Sequence, residues 1–307
     1  MNKIKILFLE TRPHFLLLTP VCVFLGVAIA LSEGYFNPLH LILVLLGSLF
    51  AHASVNIFND YFDYIRGTDV ITRRTPFSGG SGLLPSGLVT PKEAFLKATT
   101  FLLLGITIGL YFMIQYPILV PVILLGAFLV YAYTPVLTKV YITELSPGLG
   151  FGLMVVGTYI TMLPPGSTIK DVEAVAVAVV PGILISNLLL LNEFPDFEAD
   201  YRTGRKHMVI LLGRKRASKV YVMLIGLAYT WIIVSILIKL IPFTAAIALA
   251  TLPIAFKACR ECLRHYDKIE NLIPALAKNV LVTLLTPLLM AIGFIADIFF
   301  NSYPITL

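Results

Sequence analysis

Charged side chains are scarce in this chain of 307 residues. Aspartate, glutamate, lysine and arginine make up 13% of the sequence, whereas soluble globular domains carry about 25%. Hydrophobic residues reach 58%, and the mean hydropathy is +0.90. This composition excludes an ordinary soluble domain and predicts a polytopic membrane protein.

Cysteine is also rare, and the three thiols, Cys22, Cys259 and Cys262, do not suggest a disulfide framework. Cys259 and Cys262 form a C-x-x-C pair, but a structural zinc site needs four ligands and no second cysteine pair exists in the sequence. We therefore interpret the pair as a coincidence on a helix surface.

Nine stretches of about 17 to 20 residues lack charge almost completely, which is the length needed to cross the hydrocarbon core of a bilayer. They lie near residues 14–31, 39–58, 98–115, 117–135, 145–163, 174–191, 220–238, 240–256 and 279–296. Proline cannot continue helix hydrogen bonding, so Pro117 is expected to fold the long run after Ala98 into a hairpin. The sequence predicts an all-α fold of nine transmembrane helices around a central cavity, in one domain over residues 1–307.

The basic residues indicate how these spans are oriented, because positive charge accumulates on the cytoplasmic side of a membrane. Lys3, Lys5 and Arg12 place the N-terminus inside, and with alternating loops only Lys170 and Lys239 fall on the opposite side. The pattern predicts a multi-pass protein of the cell membrane with a cytoplasmic N-terminus and an external C-terminus. The pI of about 9.1 therefore requires no nucleic-acid partner, and no obligatory protein partner is inferred.

Two polar stretches interrupt the apolar sequence, N-I-F-N-D-Y-F-D from Asn56 and N-E-F-P-D-F-E-A-D from Asn192. An ionisable group at a membrane helix centre costs roughly 2.5 to 3.5 kcal/mol, so such groups are normally functional. Helical spacing puts three oxygen-bearing side chains of each stretch on one face. These are Asn56, Asp60 and Asp63 in the first cluster and Asn192, Asp196 and Asp200 in the second.

Carboxylates stacked along one helix face repel each other, and a bound cation would explain why they occur there. Mg²⁺ takes oxygen ligands and typically combines one or two carboxylates with substrate phosphates and water. Two facing acidic helices therefore suggest Mg²⁺ ions that bridge a diphosphate near the cytoplasmic face. Two alternatives are that the aspartates solvate helix ends, or that they relay protons or ions in a secondary transporter.

Basic and glycine-rich segments follow both clusters. Arg73 and Arg74 precede the glycines of S-G-G-S-G, whose amides can form an anion-binding nest, although a flexible surface loop has the same composition. Arg205 and Lys206 follow the second cluster, and Lys139 falls on the same side. Basic side chains would neutralise the diphosphate oxygens that a metal leaves free. Tyr133 is a candidate for stabilising a carbocation through its ring face.

The two clusters also align with each other, since matching Asn56 to Asn192 matches Asp60 to Asp196. This weak self-similarity leaves open a duplicated four-helix unit with a ninth helix added. Repeats of this kind commonly place a binding site at their interface.

The two clusters and their trailing loops resemble the UbiA superfamily of intramembrane aromatic prenyltransferases, and the similarity covers essentially the whole chain. N-D-Y-F-D-Y-I-R-G-T-D followed by G-G-S-G-L-L-P-S-G is most similar to the menaquinone-type branch, which prenylates 1,4-dihydroxy-2-naphthoate. Branches that use 4-hydroxybenzoate or geranylgeranylglyceryl phosphate usually carry an N-R-P-x-R-P-like segment where this chain has T-R-R-T-P-F. Glu193 departs from the polar or basic residues that menaquinone-type relatives often have there.

The resemblance implies Mg²⁺ as cofactor and a polyprenyl diphosphate and an aromatic molecule as substrates, at a site open to membrane lipid. By position it assigns the six residues of the two clusters to metal binding, Asn56 also to diphosphate binding, and Asp63 and Asp196 to catalysis. Further diphosphate ligands would be Arg73, Arg74, Arg205 and Lys206, and Tyr133 and Lys139 would line the reaction site. The implied reaction is an electrophilic alkylation through an allylic carbocation.

Overall fold

A computed structural model of the protein describes residues 2–167 and 171–302, and within these ranges the chain is helical without β-strands. The α-helices in chain order are α1 (Lys3–Glu10), α2 (Pro13–Leu16), α3 (Leu18–Ser32), α4 (Pro38–Arg66), α5 (Thr68–Ile71), α6 (Pro91–Gln115), α7 (Leu119–Ala132), α8 (Leu145–Met162), α9 (Asp171–Arg202), α10 (Met208–Leu212), α11 (Arg214–Leu237), α12 (Leu252–His265) and α13 (Ile269–Ser302). Two 3₁₀ segments, Leu137–Lys139 and Phe243–Thr251, complete the secondary structure.

Eight helical segments of the described chain are long and apolar enough to span a membrane. The ninth apolar segment is α7, which has 14 residues and is shorter than the others. The predicted all-α fold of nine transmembrane helices is confirmed in the described residues as eight spans and the shorter apolar helix α7. Lys170 and the C-terminal residues 303–307, which the charge pattern assigns to the outer side, lie outside the described residues.

Two helices extend well beyond the predicted spans. α4 continues to Arg66 instead of ending near residue 58, and α9 continues to Arg202 instead of ending near residue 191. Hydropathy shows only where the apolar side chains of a span end. The helices continue beyond that residue because backbone hydrogen bonds form whether the side chains are apolar or polar. α4 ends only at Gly67, whose φ of 88° is the left-handed conformation that favours glycine. Both acidic clusters therefore lie on the last turns of helices.

The connection between α6 and α7 confirms the predicted hairpin, because α6 ends at Gln115 directly before Tyr116 and Pro117. The span predicted over residues 240–256 is not one α-helix, because Phe243–Thr251 is a 3₁₀ segment that leads into α12. Pro242 and Pro253 flank this segment, and proline removes backbone donors that a regular α-helix needs.

The largest core joins α3, α8, α9, α11, α12 and α13, and it buries Tyr159, Tyr221 and Phe294 completely. A second core packs Ile57 and Phe58 of α4 against the loop that follows α4 and against the start of α6. This second core holds the glycine-rich loop against the acidic end of α4.

Large apolar side chains cover the outside of the bundle, as expected for a surface that faces lipid. Ile114, Leu237 and Phe243 are examples, with exposed fractions of 81%, 75% and 79%. The protein is therefore a multi-pass membrane protein. α4 and α9 each carry an acidic cluster at the C-terminal end, and the duplication of a four-helix unit stays a prediction.

Candidate active site

A cavity of about 390 Å³ lies between the helices and receives side chains from both acidic clusters. Its apolar wall comes from the middle of α4, α6, α7 and α8 and includes many small residues. Its polar end is lined by Arg12, Asn56, Asn59, Asp63, Asp69, Tyr133, Asn192, Glu193, Asp196, Asp200 and Arg205. The last turns of α4 and α9 form this end together, and the Thr68 and Thr203 hydroxyls just beyond them lie 2.9 Å apart.

The first cluster is held in place by a network of hydrogen bonds. Asp63 accepts hydrogen bonds from Asn59 Nδ2 at 2.7 Å and from Arg205 Nη1 at 2.5 Å. Asn56 donates to the backbone oxygen of Thr11 at 2.9 Å and lines the cavity. Asp63 and Asn56 thus have the positions that the helical spacing predicts.

Asp60 does not face the cavity as predicted. One of its oxygens pairs with Arg12, and the other accepts the backbone N–H of Ser81 at 3.1 Å. Both oxygens are therefore occupied, and Asp60 joins the N-terminal segment, α4 and the glycine-rich loop. The structure gives this carboxylate a positioning role, and its assignment as a metal ligand stays a prediction.

The second cluster has the predicted arrangement, because Asn192, Asp196 and Asp200 all line the cavity. One oxygen of each of these side chains is buried and has no hydrogen-bond partner. Asp200 lies 3.4 Å from Arg205 Nε and 3.2 Å from His207 Nε2.

Arg205 connects the two clusters, since its guanidinium contacts Asp63 on α4 and Asp200 on α9. Burial alone would lower the pKa of Arg205, but the neighbouring carboxylates offset this effect and the pKa lies well above its ordinary value. The acidic faces of the two helices therefore meet around one permanent cation.

Four of the polar lining residues were not predicted as site residues: Arg12, Asn59, Asp69 and Glu193. The turn at Gly67 and the short helix α5 bring Asp69 back to the cavity, where its Oδ2 is buried without a hydrogen bond. Burial and the charges of Asp63 and Asp60 raise the pKa of Asp69 to about 8. The sequence signal that could have identified Asp69 as a site residue is its position shortly after the first cluster.

The glycine-rich loop covers the polar end of the cavity, which Ser78, Gly79 and Gly80 help to line. Gly79 and Gly80 have φ values of 82° and 71°. A Cβ atom on Gly80 would lie 2.6 Å from Asp69 Oδ2. Glycine is needed at this point both for the backbone conformation and for the close approach to a buried carboxylate.

Tyr133 lies at the end of α7 and lines the cavity, as predicted for a residue of the reaction site. Lys139, in the following 3₁₀ turn, is exposed and is not among the residues that line the cavity.

Three further predicted basic residues are also exposed and do not line the cavity: Arg73, Arg74 and Lys206. Arg73 pairs with Glu270 at 2.9 Å on the surface, and Lys206 lies over the ring of Tyr141. Their loops are basic, but the backbone directs these side chains outward. Two arginines of the predicted cytoplasmic side do line the cavity, Arg12 and Arg205.

The donors at the polar end fit a hard divalent cation. Asp63 Oδ1, Asn192 Oδ1 and Asp196 Oδ1 are buried and accept no hydrogen bond, although buried polar atoms normally have a partner. Carboxylate and amide oxygens are the ligands that Mg²⁺ binds in proteins. These residues, with Asn56 and Asp69 beside them, could hold such an ion.

Curated relatives are similar to this chain in sequence, and solved structures are similar to it in fold. The 1,4-dihydroxy-2-naphthoate octaprenyltransferase of Bacillus subtilis (strain 168) is 28% identical over 233 residues, which cover 75% of this chain and 73% of the relative. The digeranylgeranylglyceryl phosphate synthase of Pyrococcus horikoshii (strain ATCC 700860 / DSM 12428 / JCM 9974 / NBRC 100139 / OT-3) is 28% identical over 253 residues, 79% of each chain.

The fold is similar to that of a UbiA homolog from Aeropyrum pernix K1, with a TM-score of 0.69, 15% identity and coverage of 91% of this chain and 97% of the other. A UbiA homolog from Archaeoglobus fulgidus bound to GPP and Mg²⁺ has a TM-score of 0.62 and 16% identity, over 94% of this chain and 99% of the other.

Residues 18–275 match the UbiA prenyltransferase family, and this range contains both acidic clusters and all the predicted basic ligands. The match extends over most of the chain, and the fold agrees with it. The protein therefore belongs to the UbiA prenyltransferase family and is a prenyltransferase.

Proposed function

We propose that this enzyme transfers a prenyl group from a polyprenyl diphosphate to an aromatic acceptor, with Mg²⁺ as its cofactor. One observation carries the proposal: Asp63 of α4 and Asp196 of α9 line the same end of a cavity whose remaining wall is largely apolar. The A. fulgidus homolog described as bound to GPP and Mg²⁺ supports the same assignment.

The metal ligands in this proposal come from both helices: Asn56, Asp63, Asn192, Asp196 and Asp200, with Asp69 added. Their oxygens face one space from opposite walls, and several of them have no other partner. When bound, Mg²⁺ neutralises charge on the diphosphate and so favours its departure. Asp60 contributes indirectly, because it holds Arg12 and the loop at Ser81 in place.

Arg205 and Arg12 bind the remaining diphosphate oxygens. Both guanidinium groups line the cavity, and the Nε atom of each is buried without a hydrogen-bond partner. Charge-assisted hydrogen bonds from arginine to phosphate are strong and directional. This arrangement requires no substrate contact from the four exposed basic residues Arg73, Arg74, Lys139 and Lys206.

The apolar wall of the cavity receives the prenyl chain. Each CH₂ group kept out of water is worth about 0.8 kcal/mol, so a long prenyl tail stays in the apolar part of the cavity and in lipid while the diphosphate stays at the polar end. Gly126 and Gly150 line this wall, and a Cβ atom on either would meet nothing within 4 Å. The diphosphate then lies at the polar end and the tail extends between the helices.

The reaction begins when the allylic C–O bond breaks and its electron pair leaves with the diphosphate. An electron-rich carbon of the acceptor ring attacks the allylic cation, and the ring then becomes aromatic again by losing the substituent of that carbon, which is a proton or, at the carbon that bears the carboxylate, carbon dioxide. Tyr133 faces this space and stabilises the cation through its ring. Phe77 and the glycine-rich loop shield the polar end from water, which would otherwise convert the cation to an alcohol.

We favour 1,4-dihydroxy-2-naphthoate as the acceptor, which would place the reaction in menaquinone biosynthesis. The B. subtilis relative named for this acceptor and the sequence around Asp60 both support this choice. The P. horikoshii relative favours geranylgeranylglyceryl phosphate as a second candidate acceptor, and 4-hydroxybenzoate remains an alternative from the sequence. In the cell membrane, the basic loops would place the polar end of the cavity at the cytoplasmic face.

Product analysis tests this proposal directly. Purified enzyme is incubated with Mg²⁺, prenyl diphosphates of several lengths and each of the three acceptors, and the products are identified by mass spectrometry. We expect a product with a new C–C bond between the prenyl group and the naphthalene ring, with or without loss of carbon dioxide, and this product should disappear when EDTA replaces Mg²⁺. Prenylation of geranylgeranylglyceryl phosphate instead would overturn the acceptor, and full activity in EDTA would overturn the metal role.

A matched pair of variants completes the experiment. Asp196→Asn removes a cavity carboxylate, whereas Glu198→Gln changes an exposed carboxylate on the same helix. We expect the first to abolish transfer and the second to retain it, with both proteins folded and monodisperse.

A further inference from the structure

A second group of possible ligands lies beside the polar end of the cavity and consists of Glu144, Glu193 and His207. One ligand atom from each lies within 4.8 Å of the other two. All three residues are buried, with exposed fractions of 3%, 3% and 1%. They come from three segments: the turn before α8, the end of α9 and the loop before α10. Neither the sequence prediction nor the proposed reaction gives Glu144 or His207 a function.

The backbone around His207 is fixed in place. Lys206, the preceding residue, accepts a hydrogen bond from the hydroxyl of Thr143 at 2.9 Å through its carbonyl oxygen. Met208, the following residue, donates its backbone N–H to Glu144 Oε1 at 2.6 Å. The loop that carries His207 is therefore joined on both sides to the segment that carries Glu144, and the cluster is preorganised.

Most polar atoms of the cluster have no hydrogen-bond partner. Glu144 Oε2, both carboxylate oxygens of Glu193 and both ring nitrogens of His207 are buried without one. Burying two carboxylates side by side is costly unless a positive charge compensates them. A shared proton or a bound cation could supply that compensation.

The two ring nitrogens of His207 favour a bound cation. Nδ1 faces the glutamates and lies 3.4 Å from Glu193 Oε2, and Nε2 lies 3.2 Å from Asp200 Oδ2. A histidine that binds a metal through one nitrogen usually directs the other to a carboxylate, which fixes its tautomer. Glu144 similarly has one oxygen held by a backbone N–H and the other one free.

We propose that Glu144, Glu193 and His207 bind a divalent first-row transition metal of the Zn²⁺ class. Zn²⁺ accepts imidazole nitrogen together with carboxylate oxygen, whereas Mg²⁺ prefers an all-oxygen octahedron. None of these three ligands is a proposed Mg²⁺ donor, although Glu193 lines the same cavity and His207 contacts Asp200, and the site does not depend on the proposed reaction. Because Arg205 precedes His207 by two positions, the metal also fixes the loop that brings Arg205 to the cavity.

A metal titration in excess Mg²⁺ tests this proposal. Purified full-length protein is treated with EDTA, transferred to millimolar Mg²⁺ and titrated with Zn²⁺, and bound zinc is measured by mass spectrometry after gel filtration. We expect one zinc per chain that Mg²⁺ does not displace. Glu193→Gln and His207→Gln should each weaken zinc binding by at least about tenfold, whereas Glu198→Gln, on the exposed side of α9, should not.

Wild-type protein alone can overturn the proposal, so the result does not depend on folding of the variants. Zinc binding well below one per chain in excess Mg²⁺ would refute the metal site. Binding that is lost in Asp196→Asn but kept in His207→Gln would place the zinc at the Mg²⁺ donors and also refute the site. Prenyl transfer is measured separately and can fail or persist independently of zinc binding.

Discussion

Arg205 is the residue whose substitution tests the arrangement of the polar end most sharply. Its Nη1 atom lies 2.5 Å from Asp63 Oδ2, and its Nε lies 3.4 Å from Asp200 Oδ1. All three side chains are at least nine-tenths buried, with exposed fractions of 9%, 5% and 3%. The change Arg205→Gln removes the positive charge and leaves the two carboxylates without their arginine partner.

The expected loss of stability follows from this burial. Removing one partner of a buried ion pair costs about 3–5 kcal/mol, because the remaining charge is left uncompensated. We therefore expect Arg205→Gln to lower the free energy of unfolding by about that amount in the absence of Mg²⁺. The measurement is equilibrium unfolding in mixed micelles. Arg202→Gln, which changes an exposed arginine at the end of α9, just before the loop that carries Arg205, should change stability by no more than about 0.5 kcal/mol.

Two further measurements separate charge compensation from a general packing defect. Mg²⁺ should stabilise Arg205→Gln more than the wild type, because a divalent cation can neutralise the same carboxylates. Adding Asp63→Asn to Arg205→Gln should recover part of the lost stability, because one uncompensated charge is removed. Equal, small losses in Arg205→Gln and Arg202→Gln would refute the reasoning.

Two other predictions concern glycines with matched controls. Gly80→Ala should lower the rate of prenyl transfer by at least about tenfold, because the new Cβ would lie 2.6 Å from Asp69 Oδ2. The control is Gly87→Ala, since Gly87 has the same φ of 71° but a Cβ there would meet nothing within 4 Å. Initial rates that fall equally in both variants would point to backbone strain alone. Gly126→Leu should shorten the longest prenyl diphosphate that the enzyme accepts, since its side chain would enter the apolar part of the cavity. The control Gly226→Leu lies on the exposed side of α11 and should leave the product lengths in the mass spectrum unchanged; a shift in both variants would contradict the assignment of the cavity wall.

The number of helices could be predicted from the sequence because a bilayer admits almost no charge over the length of a span. The helix ends could not be predicted in the same way. α4 and α9 continue into polar sequence, where hydropathy carries no signal, and their ends depend on features such as the left-handed Gly67. Helical spacing did predict the common orientation of Asn192, Asp196 and Asp200, since all three lie on one continuous helix.

The identity of the basic residues at the cavity could not be predicted from loop composition. Arg205 and Lys206 are neighbours, but the hydrogen bond from Lys206 N to Thr138 O fixes the loop so that Arg205 points inward and Lys206 outward. Arg12 reaches Asp60 from a left-handed backbone position with φ of 53°, which no composition indicates. Contacts between distant segments determine both positions, and one sequence contains no direct information about them.

The central claim is that the two acidic helix ends form one site for magnesium and diphosphate. The most direct measurement is the affinity for a non-reactive prenyl thiodiphosphate in the presence of Mg²⁺, for wild type, Asp63→Asn, Asp196→Asn and the double variant. If both carboxylates act on one ligand, each single variant should lose at least about tenfold in affinity, which is about 1.4 kcal/mol, and the double variant should lose much less than the sum of the two. Wild-type affinity in either single variant, or losses that add in full, would contradict the account.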